Sequence, residues 1–245
     1  MASALMHTHV TDVLGQRLVS RALGPGEIVN LADIEAEFGI SRTVAREAMR
    51  LLESLGMVEV RRRVGLIVAD ESHWDVLNPR VIEWRLAGPG REAQLRSLLD
   101  LRIAVEPTAA RLAALNASDE QRERLLELTE ALRDMGGRGL GESEEYLRAD
   151  VGWHQTLLRA SGNEMLAALD GVVEAVLVGR TRHGYSPQVP VGEVLDHHDT
   201  TARAVAARMP EAAEVCCRSL VTRVRAELVL PDSTVVSPAV AARRA

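Results

Sequence analysis

The chain has 245 residues, long enough for two compact domains, and its 47% apolar and 26% charged content supports an ordinary globular core. Aromatic residues make up only 2%, with three Trp, two Tyr and one Phe, which excludes a base-stacking surface for single-stranded nucleic acid. The net charge of −6 is an average over the chain and leaves room for a local basic patch on an otherwise acidic surface.

Residues 11–22 place Val13, Leu14, Leu18 and Ala22 near helical spacing, and Gly24-Pro25-Gly26 stops that helix. A second amphipathic helix is predicted from Leu31 to Phe38, ended by Gly39. A third starts at the N-cap Ser41 and carries Ala45, Ala48, Met49, Leu51, Leu52 and Leu55 on its apolar side up to Gly56. Two short strands follow, Met57–Arg61 and Leu66–Ala69, joined by Arg62, Arg63, Val64 and Gly65. This order is that of a winged helix. Basic residues concentrate in it: Arg42, Arg46, Arg50, Arg61, Arg62 and Arg63 face only Glu47, Glu53 and Glu59. Arg42 and Arg46 stand at i and i+4 at the start of the third helix, where a major groove is read and where arginine can grip guanine or phosphate. Thr43 is placed to reach a phosphate or a base edge.

From Asp70 to about Gly90 runs a linker with Asn78-Pro79 and Gly88-Pro89-Gly90; its Trp74, Val81, Ile82 and Trp84 predict that it packs against a domain. Beyond it the pattern is almost wholly helical, with helices expected at 91–115, 119–135, 143–160, 163–181, 193–208 and 210–229 and a loop from Gly184 to Pro190. Pro107 predicts a kink or break in the first of these. The expected organisation is a winged helix over 1–70, a linker over 71–90, a helical domain over 91–231 and a tail over 232–245, a mostly α protein overall. Cys216 and Cys217 are adjacent on a helix, where side chains diverge, so no disulfide is expected between them. There is no leader pattern and no apolar run of about 18 residues, so no membrane contact is expected and the cytoplasm is the simplest location.

The segment Phe38–Val68, with Gly39, Ser41-Arg42-Thr43, Arg46-Glu47-Ala48, Leu52-Glu53 and Gly56, resembles the DNA-binding domain of the GntR superfamily. The resemblance implies double-stranded operator DNA as partner, with Arg42, Thr43 and Arg46 in groove-reading positions and Arg62, Arg63 and Gly65 on the wing. A family arginine of the second helix is replaced by Ala32. The rest of the chain resembles the FCD ligand-binding domain of the FadR subgroup, through Leu101–Ala114, Asp150 and His154, Leu157–Asn163, and His198 with Ala204–Ala213. Trp74–Leu86 also resembles the linker of sugar-acid regulators such as those of gluconate or galactonate.

That resemblance implies a homodimeric regulator, expected to be a repressor, that senses a small carboxylate or sugar acid. It also implies a divalent metal, Zn, Ni or Mn, on Asp150, His154 and His198, and an anion-binding role for Arg102. The fourth ligand of the family falls on Leu220, which leaves three protein ligands. The residues by themselves allow plainer readings: a helical Asp–His pair at i,i+4, and an Arg102–Glu106 ion pair of the same spacing. Two other functions compete. A metal-dependent hydrolase on the same triad lacks a recognisable general base, and an architectural DNA-binding protein would leave the helical domain only to dimerise.

Overall fold

The computed structural model describes residues 2–61, 65–190 and 192–227, and they fall into two compact units meeting in sequence at Arg91 and Glu92. The wing residues Arg62 and Arg63 and the tail expected at 232–245 lie outside the described residues. No helix among those described is long and apolar enough to cross a membrane.

The first unit is built in the order α1 (Ala2–Val19), β1 (Ile28–Val29), α2 (Leu31–Phe38), α3 (Arg42–Ser54), β2 (Val58–Arg61), β3 (Gly65–Val68) and, after a short 3-10 turn, α4 (Pro79–Ala87). Asn30 caps α2 by accepting from the Ala32 N–H, and Gly39 ends it at φ 61°, a left-handed conformation that favours glycine. Ser41 caps α3 through the Val44 N–H. The sheet is antiparallel in the order β1-β3-β2, with Val58 opposite Val68, Val60 opposite Leu66 and Ile28 opposite Ile67. Two differences from the sequence reading have plain causes. The first helix begins at Ala2, nine residues before the amphipathic pattern becomes legible, because only Val10 of that early stretch is fully buried among the residues whose side chains are described. Strand β1 has two residues, too few for an alternation to register.

The presumed linker is a built part of this first unit. Asn78 caps α4 and Pro79 opens it, and Trp74, Val81, Ile82 and Trp84 are all buried. Trp84 lies flat against Gly15 of α1, where a Cβ would come within 2.5 Å of the indole, and its Nε1 donates to Asp12 Oδ1 at 3.1 Å.

The second unit is all helical: α5 (Arg91–Asn116), α6 (Asp119–Gly137), α7 (Glu144–Ala160), α8 (Glu164–Ala167), α9 (Asp170–Arg182), α10 (Gly192–Ala206) and α11 (Pro210–Glu227). A capping box between Ser118 and Gln121 starts α6, and Ser143 caps α7. The core gathers Leu99, Leu125, Leu132, Trp153, Leu157, Val205 and Leu220. The helix expected over 163–181 is two, parted at Ala168 and Leu169. Pro107 does not break α5, which runs unbroken through it. Proline leaves the Ile103 carbonyl without its helical donor, and Arg218 of α11 approaches that oxygen at 3.5 Å.

Candidate functional site

Each unit carries one constellation. In the first, the apolar side of α3 buries Ala45, Ala48, Met49 and Leu52 in the core, which turns Arg42, Thr43, Arg46 and Arg50 outward, all exposed. Arg42, Arg46 and Arg50 repeat every four residues and line one groove of about 550 Å³ with Ala32 of α2 and with Val60 and Gly65 of the hairpin. Three other arginines of this unit are paired, Arg17 with Glu37, Arg21 with Glu71 and Arg61 with Glu59. The three arginines of α3 have no hydrogen-bonding or ion-pair partner among the described residues, although Glu47 and Glu53 share their helix. A row of unpaired guanidinium groups beside a β-hairpin is an electrostatic footprint for phosphate and base edges. Gly65, at φ 113°, opens β3 where a side chain would be strained. Ala32, where a family arginine is expected, lines the same groove with no charge.

In the second unit, α5, α7 and α10 bring Arg102, Asp150, His154 and His198 to one buried cavity. His198 Nδ1 lies 2.8 Å from the Val194 carbonyl oxygen; a carbonyl can only accept, so Nδ1 carries the proton and Nε2 keeps a lone pair when the ring is neutral. His154 places Nδ1 at 3.0 Å from Glu106 Oε2 in the same way. Both Nε2 atoms then turn toward Asp150 Oδ1, at 3.3 Å from His198 and 3.5 Å from His154. Asp150 Oδ1 and His198 Nε2 are buried with no hydrogen-bond partner. One donor atom from each of the three residues falls within 4.8 Å of the others. Asp150 Oδ1 and His198 Nε2 face one another as unpartnered acceptors, and two imidazoles with a carboxylate form a donor set that suits a divalent cation. The outer contacts from Glu106 and Val194 are of the kind that orient metal-ligating histidines.

The charged groups around the triad shift one another, and a metal on His154 has to displace a proton that these shifts favour. Burial pushes the Glu106 carboxyl up, but Arg102 and His154 outweigh it and bring it down to about 2. Burial would likewise raise Asp150, yet the two histidines hold it well below the ordinary aspartate range. For His154, burial lowers the pKa and Arg102 lowers it further, but Glu106 and Asp150 together outweigh them and leave it above the usual histidine value. Arg102, 1% exposed, makes the ion pair that its spacing allowed and also reaches the cavity. Its Nε donates to Glu106 Oε1 at 2.6 Å, and the side chain also lines the cavity.

Glu106 is therefore more than the ion-pair partner read from spacing, because it holds Arg102 and His154 together. Arg180, Tyr146 and Ser186 line the same cavity and were not singled out. Arg180 had one legible signal: it continues the apolar stripe Val172, Val173, Val176 and Leu177 of α9 with a buried cation. Leu220, at the family's fourth-ligand position, is fully buried in the core and offers no donor. The cavity holds about 40 Å³, room for an ion and a water or two at roughly 10–15 Å³ each. Pro187 and Pro190 cover one side, where the Gly141 N–H donates to the Gln188 carbonyl at 2.8 Å.

Comparison with known proteins decides the family. The model "Bacterial regulatory proteins, gntR family" matches residues 7–68, and the FCD domain model matches residues 97–223. The chain belongs to the GntR family of regulators with an FCD domain. It is similar to the galactonate operon transcriptional repressor of Escherichia coli K12, 26% identical over 216 residues that cover 86% of this chain and 92% of that protein. It is also similar to the HTH-type transcriptional regulator YieP of the same organism, 28% identical over 217 residues covering 86% and 90%. Among solved structures, Lar of Listeria monocytogenes shares the fold, with a TM-score of 0.54 at 16% identity over 90% of this chain and 95% of that one. The regulator is thus a DNA-binding transcription factor whose FCD domain holds a site that could take a metal.

Proposed function

We propose that the regulator is a homodimeric repressor whose operator affinity is set by a small organic acid bound beside a divalent metal in the FCD domain. The observation that carries this reading is the meeting of Asp150, His154 and His198 with a buried arginine, two of the three donor atoms being otherwise unpartnered. Asp150, His154 and His198 would hold the metal, and Leu220 leaves its shell open to oxygen ligands. When bound, the metal supplies a Lewis-acidic cation to which a carboxylate or hydroxyl oxygen of the acid can bind. Arg102 meets the acid's charge through a planar fork of donors. The likeness to a galactonate operon repressor makes sugar acids the first class to test.

On the DNA side, Arg42, Thr43 and Arg46 read the major groove, and Arg62, Arg63 and Gly65 form the wing that grips the adjacent backbone. A dimer presenting two such helices fits a palindromic operator, and operator binding places the protein in the cytoplasm. A ligand shifts DNA affinity only through unequal affinity for two arrangements of the protein. The 40 Å³ cavity supports such inequality, since an acid enters only if the residues around it move.

The test is a thermal-shift screen of sugar acids and short carboxylates with metal-replete and chelator-treated protein, followed by operator titrations with each hit. Acids that raise the melting temperature only in replete protein and weaken operator binding support the reading. Operator binding indifferent to every acid that binds would refute the sensor role.

A further inference from the structure

The cavity contains a conflict that the sensor reading leaves open. Arg102 Nη2 lies 3.0 Å from His154 Nε2 and 3.4 Å from His154 Nδ1, so the guanidinium is pressed against the imidazole that should hold the metal. A metal bonds imidazole nitrogen at about 2.0–2.1 Å. A metal on His154 Nε2 would therefore stand no more than about 5 Å from the guanidinium nitrogen, whatever its direction. Glu106 offsets part of the arginine's charge through Nε at 2.6 Å and through a longer bond from Nη2 at 3.4 Å. Arg102 Nη1, however, is buried with no hydrogen-bond partner. Water cannot screen the two charges well in a cavity of about 40 Å³.

We propose that Arg102 is a cationic placeholder at the metal site, and that its contact with His154 and the binding of a divalent cation exclude one another. Without metal, the guanidinium supplies the positive charge that Asp150 and Glu106 require. When a divalent cation takes His154, repulsion turns Nη1 and Nη2 of Arg102 away from the ring. The planar group moves as a body, gives up the longer Nη2 bond to Glu106 while staying paired with it through Nε, and aims its terminal donors at the open cavity. An acid anion that touches both cations then relieves the repulsion between them. By linkage, metal and acid each tighten the binding of the other. This rests on the metal reading above and adds to it a role for Arg102 that exists before any acid arrives.

The experiment uses the full chain, stripped of metal, with Zn²⁺ alone as probe against a chromophoric chelator. Arg102→Met removes the competing charge at similar length, and it should bind Zn²⁺ more tightly than wild type, by roughly 5- to 150-fold, the usual span of such couplings. Equal or weaker Zn²⁺ binding by a variant with a native circular dichroism spectrum overturns the placeholder role. If neither protein binds Zn²⁺, the metal reading itself fails. Should Arg102→Met not fold, a crystal structure of Zn²⁺-loaded wild type decides the matter. Arg102 Nη2 withdrawn from His154 supports the proposal, and the 3.0 Å contact retained beside bound metal refutes it.

Discussion

Arg122 offers the sharpest test of how the sensing unit is held together. It stands in the first turn and a half of α6, where the helix dipole disfavours a cation, yet it is 6% exposed. Its guanidinium serves other helices. Nη2 donates to the Ala117 carbonyl at 2.9 Å, both terminal nitrogens approach the Ala114 carbonyl at 3.4 Å, and Nη1 donates to the Val205 carbonyl. These oxygens lie at the C-terminal ends of α5 and α10, where helical donors run short; Val205 also accepts from the Arg208 N–H at 3.1 Å. One side chain thus closes two helix ends and ties α5, α6 and α10 together. Arg122→Ala removes two well-made charge-assisted bonds at about 1.5–2 kcal/mol each and takes from the Ala114 and Ala117 carbonyls their side-chain donor, while Val205 keeps the Arg208 N–H. The expected loss is about 3–4 kcal/mol, a large share of a typical domain's stability, or roughly 6–15 °C in melting temperature. Urea titration gives the free energy, and hydrogen exchange read by mass spectrometry locates it at the ends of α5 and α10. Arg122→Lys keeps the charge but cannot fork to three oxygens, and it should recover about half of the loss. An alanine variant within about 0.5 kcal/mol of wild type would show that the buried guanidinium is dispensable and refute the reasoning.

Gly15→Ala should cost about 1–3 kcal/mol by overpacking, because its Cβ would meet the Trp84 ring at 2.5 Å; an unchanged urea midpoint would show that α4 does not rest on α1 as described. Arg46→Ala should abolish preference for the operator while leaving fold and oligomeric state intact, since a bidentate base contact contributes about 1–3 kcal/mol of discrimination. Operator affinity at fixed salt tests it, and an unaltered value removes Arg46 from the reading face. Arg50→Gln, one turn further along the same unpaired row, should lower affinity for operator and random DNA alike and flatten the salt dependence by about one unit. Loss of sequence preference at constant slope would instead mark Arg50 as a base reader. His154→Ala should strip the bound metal and the acid response yet retain operator binding; elemental analysis showing full metal content in that variant would remove His154 from the ligand set.

Much of this molecule is written locally. Ser41, Gly39 and the apolar repeat Ala45, Ala48, Met49 and Leu52 specify α3 from within its own segment, and the same repeat dictates that Arg42, Arg46 and Arg50 face outward. Caps, helical periodicity and turn residues act over a few positions, so the winged helix and most of the helices of the second unit could be read without knowing any partner. The i,i+4 spacing of Asp150 and His154 put two donor groups on one face of α7 for the same reason.

What needed the tertiary structure was every choice between two uses of one residue. Spacing could not say whether Arg102 pairs with Glu106 or faces a cavity; packing of α5 against α7 makes it do both, since His154 occupies the space beside the pair. Pro107 reads as a helix breaker, but a donor from α11 reaches the carbonyl it exposes. Arg122 carries no local signal of burial, and it is the carbonyls of α10 and of the turn after α5 that hold it inside. His198 becomes a partner of Asp150 across 48 positions because α10 lays it there and the Val194 carbonyl sets its tautomer. Local sequence determines where a side chain points on its own helix. The free energy of burying a charge depends on which donors and acceptors other helices bring to meet it, and that is decided only when the chain has packed.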